Sequence, residues 1–304
     1  MIAVRILIVI AAFASMAESF VLSRPSTIFS QMHRALGASS YPVSGGVNCD
    51  ILPLVDELML STYDALASRL IDRYERERNS LRNNQLFVGI AGGPGSGKST
   101  LSAAVAKLVN ERMQTAMQGE EEASAAVVVP MDGYHYSRSQ LQTMGSNPTS
   151  DYTYEDLLAR RGAPWTFDAE GCIEAFTLAR RTGFASLPVY SRAKSDPVPN
   201  GIHLCTETKI VLLEGNYLLA WDDARWAPLR GVFDETWYIA CKSLEEQRNR
   251  LVKRHLETWS DEKSRIFGEG ALGAGVKADM NDMKNLVWIE KTSRKHADYI
   301  IEGL

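Results

Sequence analysis

Residues 86–100 read Leu86-Phe87-Val88-Gly89-Ile90-Ala91-Gly92-Gly93-Pro94-Gly95-Ser96-Gly97-Lys98-Ser99-Thr100, and no other stretch restricts the fold as strongly. An apolar run with the make-up of a buried strand enters a glycine-rich turn. Leu101, Val105 and Leu108, with Ala104, then recur at helical spacing. Gly92 and Gly97-Lys98-Ser99 fill the GxxxxGK[ST] template of a P-loop. Without Cβ atoms at the glycines, consecutive backbone N–H groups can curl inward around a phosphate. The helix that starts near Lys98 aims its positive end at the same point. In this frame Gly92, Gly93, Pro94, Gly95, Ser96, Gly97, Lys98, Ser99 and Thr100 form a cradle for ATP. Lys98 reaches the β- and γ-phosphates, and the Ser99 hydroxyl ligates Mg²⁺.

The pattern downstream repeats this alternation of strand and helix. Ala125 to Met131, Lys209 to Leu213 and Thr236 to Ala240 are short, nearly continuous apolar runs, as in a parallel sheet buried on both faces. Ala297 to Ile301 reads as a last short strand. Helices are expected from about Ile51 to Tyr74, from Tyr154 to Gly162, from Asp168 as cap to about Arg181, from Leu244 to about Leu256, and over 282–296. Arg69, Arg73, Arg76, Arg78 and Arg82 read as the solvated face of the first of these. Residues 119–122, 137–152 and 186–201 carry loop signals, the last through Pro188, Pro197, Pro199 and Gly201. Gly268, Gly270, Gly273 and Gly275 read as a mobile loop. The fold class is therefore α/β, a three-layer α/β/α P-loop NTPase sandwich with a mostly parallel sheet.

In such a sheet ligands bind at the carboxyl ends of the strands. Two acids stand there besides the glycine loop. Glu214 follows a buried apolar strand, the Walker-B arrangement that holds Mg²⁺ directly or through water; as an alternative it is a helix cap or surface acid. Asp132 ends the second strand and can take the proton of a substrate hydroxyl, or it is only a turn residue before Gly133.

Composition removes other classes. The 304 residues are 45% apolar and 23% charged, with a formal net charge of −4, so no basic field favours nucleic acid. Cys49, Cys172, Cys205 and Cys241 form no Cys-x-x-Cys pair, which leaves free thiols or a scattered disulfide. An Asn-Lys-x-Asp guanine motif and an LSGGQ-like transporter signature are both absent.

The first 48 residues read as an address and residues 49–304 as the folded domain. Arg5 precedes an apolar run, Ile6 to Ala14, of signal-peptide length and too short to span a bilayer, so residues 1–19 look like a signal peptide or else an amphipathic or buried helix. Residues 20–48 are Ser-rich and lack Asp and Glu, which is transit-peptide composition or a plain polar tail. The two in tandem resemble the bipartite presequence of algae with secondary plastids, with Phe20 opening the transit part. That resemblance implies a plastid location; the alternatives are the cytoplasm or another compartment on the secretory route. No stable membrane insertion is expected.

Five segments recur in one order: Gly92–Thr100, Met131-Asp132-Gly133-Tyr134-His135, Arg161-Gly162-Ala163-Pro164, Leu213-Glu214-Gly215-Asn216-Tyr217-Leu218-Leu219 and Arg250-Leu251-Val252-Lys253-Arg254-His255. Together they resemble the phosphoribulokinase/uridine kinase family of P-loop kinases, which includes bacterial-type pantothenate kinases, and above all its kinase-like branch in bacteria, fungi and plants. The resemblance covers about residues 50–304. It implies ATP-dependent phosphorylation of a hydroxyl on a small metabolite with Mg²⁺, with Asp132 as the aspartate after the second strand and Glu214 as the Walker-B-like acid. It also implies a helical lid in which Arg250 and Arg254 fold over the phosphates, moved by the glycines at 268–275; the other reading of these arginines is a solvated basic face. Tyr134, His135, Tyr190 and Arg192 are substrate-pocket candidates, His135 alternatively a structural histidine. The photosynthetic phosphoribulokinases carry a cysteine in the P-loop region, and Gly95-Ser96-Gly97 has none, which argues against that redox-regulated enzyme. The acceptor class stays open among nucleoside, sugar and pantothenate-like molecules. A P-loop ATP-binding or ATPase protein with a regulatory role is the rival reading, and oligomeric state is open.

Overall fold

Leu86–Gly92 is buried at every position, as only a strand covered on both faces can be. In a computed structural model of the chain, residues 57–115 and 124–302 are described. The expected presequence, the apolar run before Glu57 and the acidic loop at 119–122 lie outside the described residues. The elements are α1 (Glu57–Glu77), β1 (Leu86–Gly92), α2 (Lys98–Thr115), β2 (Ala126–Pro130), α3 (Arg138–Gly145), α4 (Tyr154–Ala159), α5 (Ala169–Thr182), β3 (Ala185–Ser191), β4 (Asp196–Leu204), β5 (Ile210–Gly215), β6 (Glu235–Ala240), α6 (Leu244–Glu257), α7 (Asp261–Phe267), α8 (Gly270–Lys277), α9 (Met283–Ser293) and β7 (Tyr299–Glu302).

Five strands form one sheet in the order β2-β5-β1-β6-β7, all parallel. Alternate residues of β1 feed two cores. Leu86, Val88 and Ile90 pack with Tyr63, Leu70 and Tyr74 of α1 and Leu101, Val105 and Val109 of α2. Phe87 and Ala91 face the other way, toward Phe176 of α5, Ile289 of α9 and the Tyr217–Trp226 region. The result is the three-layer α/β/α sandwich, and it sets β1, with the glycine turn at its end, in the middle of the sheet. No helix of the described residues is long and apolar enough to cross a membrane.

Four local expectations are corrected. Residues 137–152 are not all loop: Ser137 and Gln140 form a capping box that starts α3, and Leu141 is buried beneath it. Residues 186–201 form an antiparallel hairpin, β3 with β4. Its prolines are tolerated because a two-stranded ribbon has only edges, and Pro188 falls at the register shift between Leu187 and Val189. The glycines at 268–275 belong largely to α8, and a Cβ on Gly273 would lie 2.0 Å from the Gly268 carbonyl oxygen, so close packing selects glycine there. Arg69 and Arg73 are not simply solvated: both bond the fully buried Glu235 carboxylate, at 2.8 and 2.6 Å, and tie α1 to β6.

Candidate active site

Three neighbouring strands deliver the polar groups. Pro130 of β2, Ile90 of β1 and Glu214 of β5 are level in register, so Asp132, the glycine turn and Glu214 meet at one end of the sheet. The turn is held open by Gly95 at φ 78° and Gly97 at φ 91°, left-handed values that favour glycine. A Cβ on Gly92 would lie 2.7 Å from the Ile239 carbonyl oxygen, so the strand can enter the turn this tightly only through glycine. Lys98 Nζ, buried beneath the turn, donates to the carbonyls of Gly92 at 2.9 Å and Gly93 at 3.0 Å. Burial holds its pKa below the usual lysine value. Ser99 Oγ donates to Glu214 Oε1 at 2.8 Å. Burial and the Asp132 charge push the Glu214 carboxyl upward, while Lys98, Ser99 and Arg192 pull it back. Asp132 itself is exposed at the mouth of this cluster.

Two helices wall the turn. Gln247 of α6 donates from Nε2 to the Pro94 carbonyl at 2.7 Å. Leu286 of α9 lies where a Cβ of Gly93 would be, 2.9 Å away. Sequence reasoning gave no hint of Gln247, because no motif marks a glutamine that only braces a loop. Of the two arginines expected on one face of the lid helix, Arg254 acts on Lys98. Arg250 donates to Glu246 of its own helix at 2.5 Å, and its charge is felt at Tyr63 and at Cys241, whose Sγ lies 3.9 Å from the Gly95 carbonyl of the cradle.

The turn after β2 (Met131–Tyr134) separates two adjacent candidates. Tyr134 is a core residue, edge-on to Phe176 at 5.4 Å, and does not line the site. His135 does. Its Nδ1 lies 2.9 Å from the Asp132 carbonyl, an atom that only accepts, so Nδ1 carries hydrogen and the neutral ring keeps its lone pair on Nε2. Burial holds its pKa below the usual histidine value despite Asp132. The ring packs on Phe167 and on Tyr190, with centroids 3.9 and 5.0 Å away. Tyr190 is the last but one residue of β3, and Arg192 in the hairpin turn is exposed with its charge felt at Glu214. Arg161, to which the sequence assigned no role, fixes that hairpin: it donates to the carbonyls of Ser195 and Tyr136 and to Asp196.

Against known proteins, no described family's profile matches the chain. A candidate uridine kinase of Schizosaccharomyces pombe is 34% identical over 241 residues, 78% of this chain and 89% of that protein. The chain belongs to the uridine kinase-like family of P-loop kinases. An ATP-dependent kinase-like protein of Aspergillus versicolor is 37% identical over 133 residues, 41% of this chain and 71% of its own length. Among solved structures, a candidate fructose transport system kinase from a Silicibacter species superposes with a TM-score of 0.56 at 28% identity, covering 71% of this chain and 89% of that one. The circularly permuted P-loop protein YFH7 of Saccharomyces cerevisiae gives 0.64 at 19% identity over 80% and 99%, a likeness of fold. The uridine kinase-like chain thus has the make-up of an ATP-dependent kinase. The donor set suits a hard cation: a serine hydroxyl bonded to a carboxylate, with a second, exposed carboxylate at the same strand ends, all oxygen.

Proposed function

We propose that this kinase moves the γ-phosphate of ATP to a hydroxyl group of a small metabolite. The observation that carries the reading is the exposed Asp132 carboxylate, two residues past Pro130, which is in register with Glu214; its charge reaches Lys98 and Glu214 on one side and the His135–Tyr190 ring pair on the other. The loop amides and Lys98 hold the β- and γ-phosphates. Ser99 and Glu214 would hold Mg²⁺, which when bound neutralises phosphate charge. An alcohol is un-ionised at neutral pH, so its proton must leave as the new oxygen–phosphorus bond forms. Asp132 accepts that proton and aims the hydroxyl at the phosphorus. His135 and Tyr190 bound the acceptor, and Arg192 guards the open side. Arg254 steadies the transferring phosphoryl group.

Asp132→Asn keeps shape and hydrogen-bonding capacity but loses basicity. Turnover is expected to fall by about 10² to 10⁴, while ATP affinity measured by calorimetry stays within a few-fold of wild type. Turnover within about threefold of wild type would reduce Asp132 to a turn residue. Collapse of ATP–Mg²⁺ binding together with turnover would make it a metal ligand and shift the search for the base to His135.

A further inference from the structure

The helix that walls the glycine turn shows solvent an apolar face. α8 continues through a π-helical turn, Ala278–Asp282, into α9, so residues 270–293 run as one helix. Its inner face belongs to the fold: Ala274, Ala278, Asn281, Asn285, Leu286 and Ile289 are buried. On an ordinary surface helix the opposite face is charged or polar. Here Leu272 is 86% exposed, Val276 41%, Met280 52% and Val287 59%, and Met283 is half-buried between the last two. Single exposed apolar side chains are normal on a protein surface, whereas a contiguous row of them marks a contact. The row advances by four, four, three and four residues, close to the spacing of a coiled-coil seam.

The order of residues along the row selects what covers it. Val276 and Val287, Met280 and Met283, and Asp279 and Lys284 are each equally distant from the point between Asn281 and Asp282. A second copy of this helix, antiparallel and related by a two-fold axis through that point, therefore sets Val276 on Val287, Met280 on Met283 and Asp279 beside Lys284, each contact made twice. At the ends Leu272 meets Lys291, whose aliphatic stem covers apolar surface while its ammonium stays in water. Lys284 and Lys291 are exposed and, among the described residues, make no ion pair. Asp279, also exposed, accepts Arg248 Nε at 2.6 Å and Nη2 at 2.7 Å, and an ionised carboxylate has lone pairs for a further donor. A parallel pairing would instead set Lys284 against Lys284 and Asp279 against Asp279, and like charges disfavour it.

We propose that the outer face of α8–α9 is the interface of a two-fold symmetric homodimer in which the two helices run antiparallel. The inner face of the same helix meets the glycine turn through Leu286, so the interface backs the cradle of each copy. The assembly does not depend on which reaction the site performs, and its test reads mass, not turnover. Sedimentation of the full chain at rising concentration should show a dimer. Val276→Asp places a carboxylate in the seam and should raise the dissociation constant at least about a hundredfold. The charge pairs give a sharper result. Asp279→Lys alone sets a lysine against Lys284, Lys284→Asp alone sets an aspartate against Asp279, and each should weaken self-association about tenfold or more. Mixed, the two variants bring opposite charges together on both sides of the axis, so their heterodimer should form nearly as tightly as the wild-type dimer. Only folded chains can recover in this way, which separates a lost contact from a lost fold. A full chain that stays monomeric at about 100 μM overturns the proposal, whatever else is found to cover the stripe. A dimer that Val276→Asp leaves intact, or a mixture of the charge variants that associates no better than either alone, overturns it as well.

Discussion

Lys98 spends its charge on two loop carbonyls, at 2.9 and 3.0 Å. Moving Nζ onto a phosphate oxygen exchanges neutral acceptors for an ionised one, and charge-assisted bonds are about twice as strong. Lys98→Ala removes this and should lower kinase activity at least about a hundredfold, read as initial rate at saturating ATP. A near-normal rate would contradict the P-loop assignment. At this scale much of the site was legible: Lys98, Ser99, Asp132 and Glu214 each stand at the end of a recognisable buried run. Tyr134 and His135 were not separable, because a single helical turn sends adjacent side chains to opposite sides, one into the core and one into the site. Arg250 and Arg254 lie four apart on one helix, yet Glu246 one turn earlier holds Arg250 in an ion pair. Spacing fixes a face and leaves the partner open.

Elements were legible where burial was one-sided or complete, as in α1 and β1. The hairpin was hidden because its prolines mimic loop chemistry and its residues are mostly half-exposed, so neither strand shows a buried run. Its seat on the site depends on Gly133, where a Cβ would come 2.3 Å from the Pro188 carbonyl oxygen. Gly133→Ala must push the hairpin outward, and the acceptor KM should rise about tenfold or more while the ATP KM holds. Unchanged acceptor kinetics would detach the hairpin from the pocket.

The α1–β6 clasp gives a stability prediction. Burial works to raise the Glu235 carboxyl, but bonds from Arg69, Arg73 and Trp237 outweigh it and hold the pKa below the reference value of 4.5. The unfolded chain then takes up the proton first as pH falls. The clasp's contribution is complete above the unfolded value and disappears as pH drops through the lower folded one. Glu235→Gln should cost about 2 to 4 kcal/mol at neutral pH. Denaturant titration should show the gap to wild type shrinking in acid. A gap that is absent at neutral pH, or that widens in acid, would refute the clasp.

For the whole molecule, the sheet order could not be read from the sequence. β1 lies between β5 and β6, strands that follow it by more than a hundred residues, and such distant pairings leave no local trace. The α/β class was readable, because buried runs alternate with helical periods. The presequence reading predicts a mature N-terminus that lacks residues 1–48, and N-terminal sequencing of the native protein that found Met1 or Ile2 intact would remove it. The central claim, transfer of phosphate from ATP to a metabolite hydroxyl, is tested most directly by ATP consumption with and without a panel of hydroxylated metabolites. The account predicts slow consumption alone, marked stimulation by particular acceptors, and one phosphorylated acceptor per ADP formed. ATP turnover that no acceptor changes, with phosphate released only to water, would contradict it.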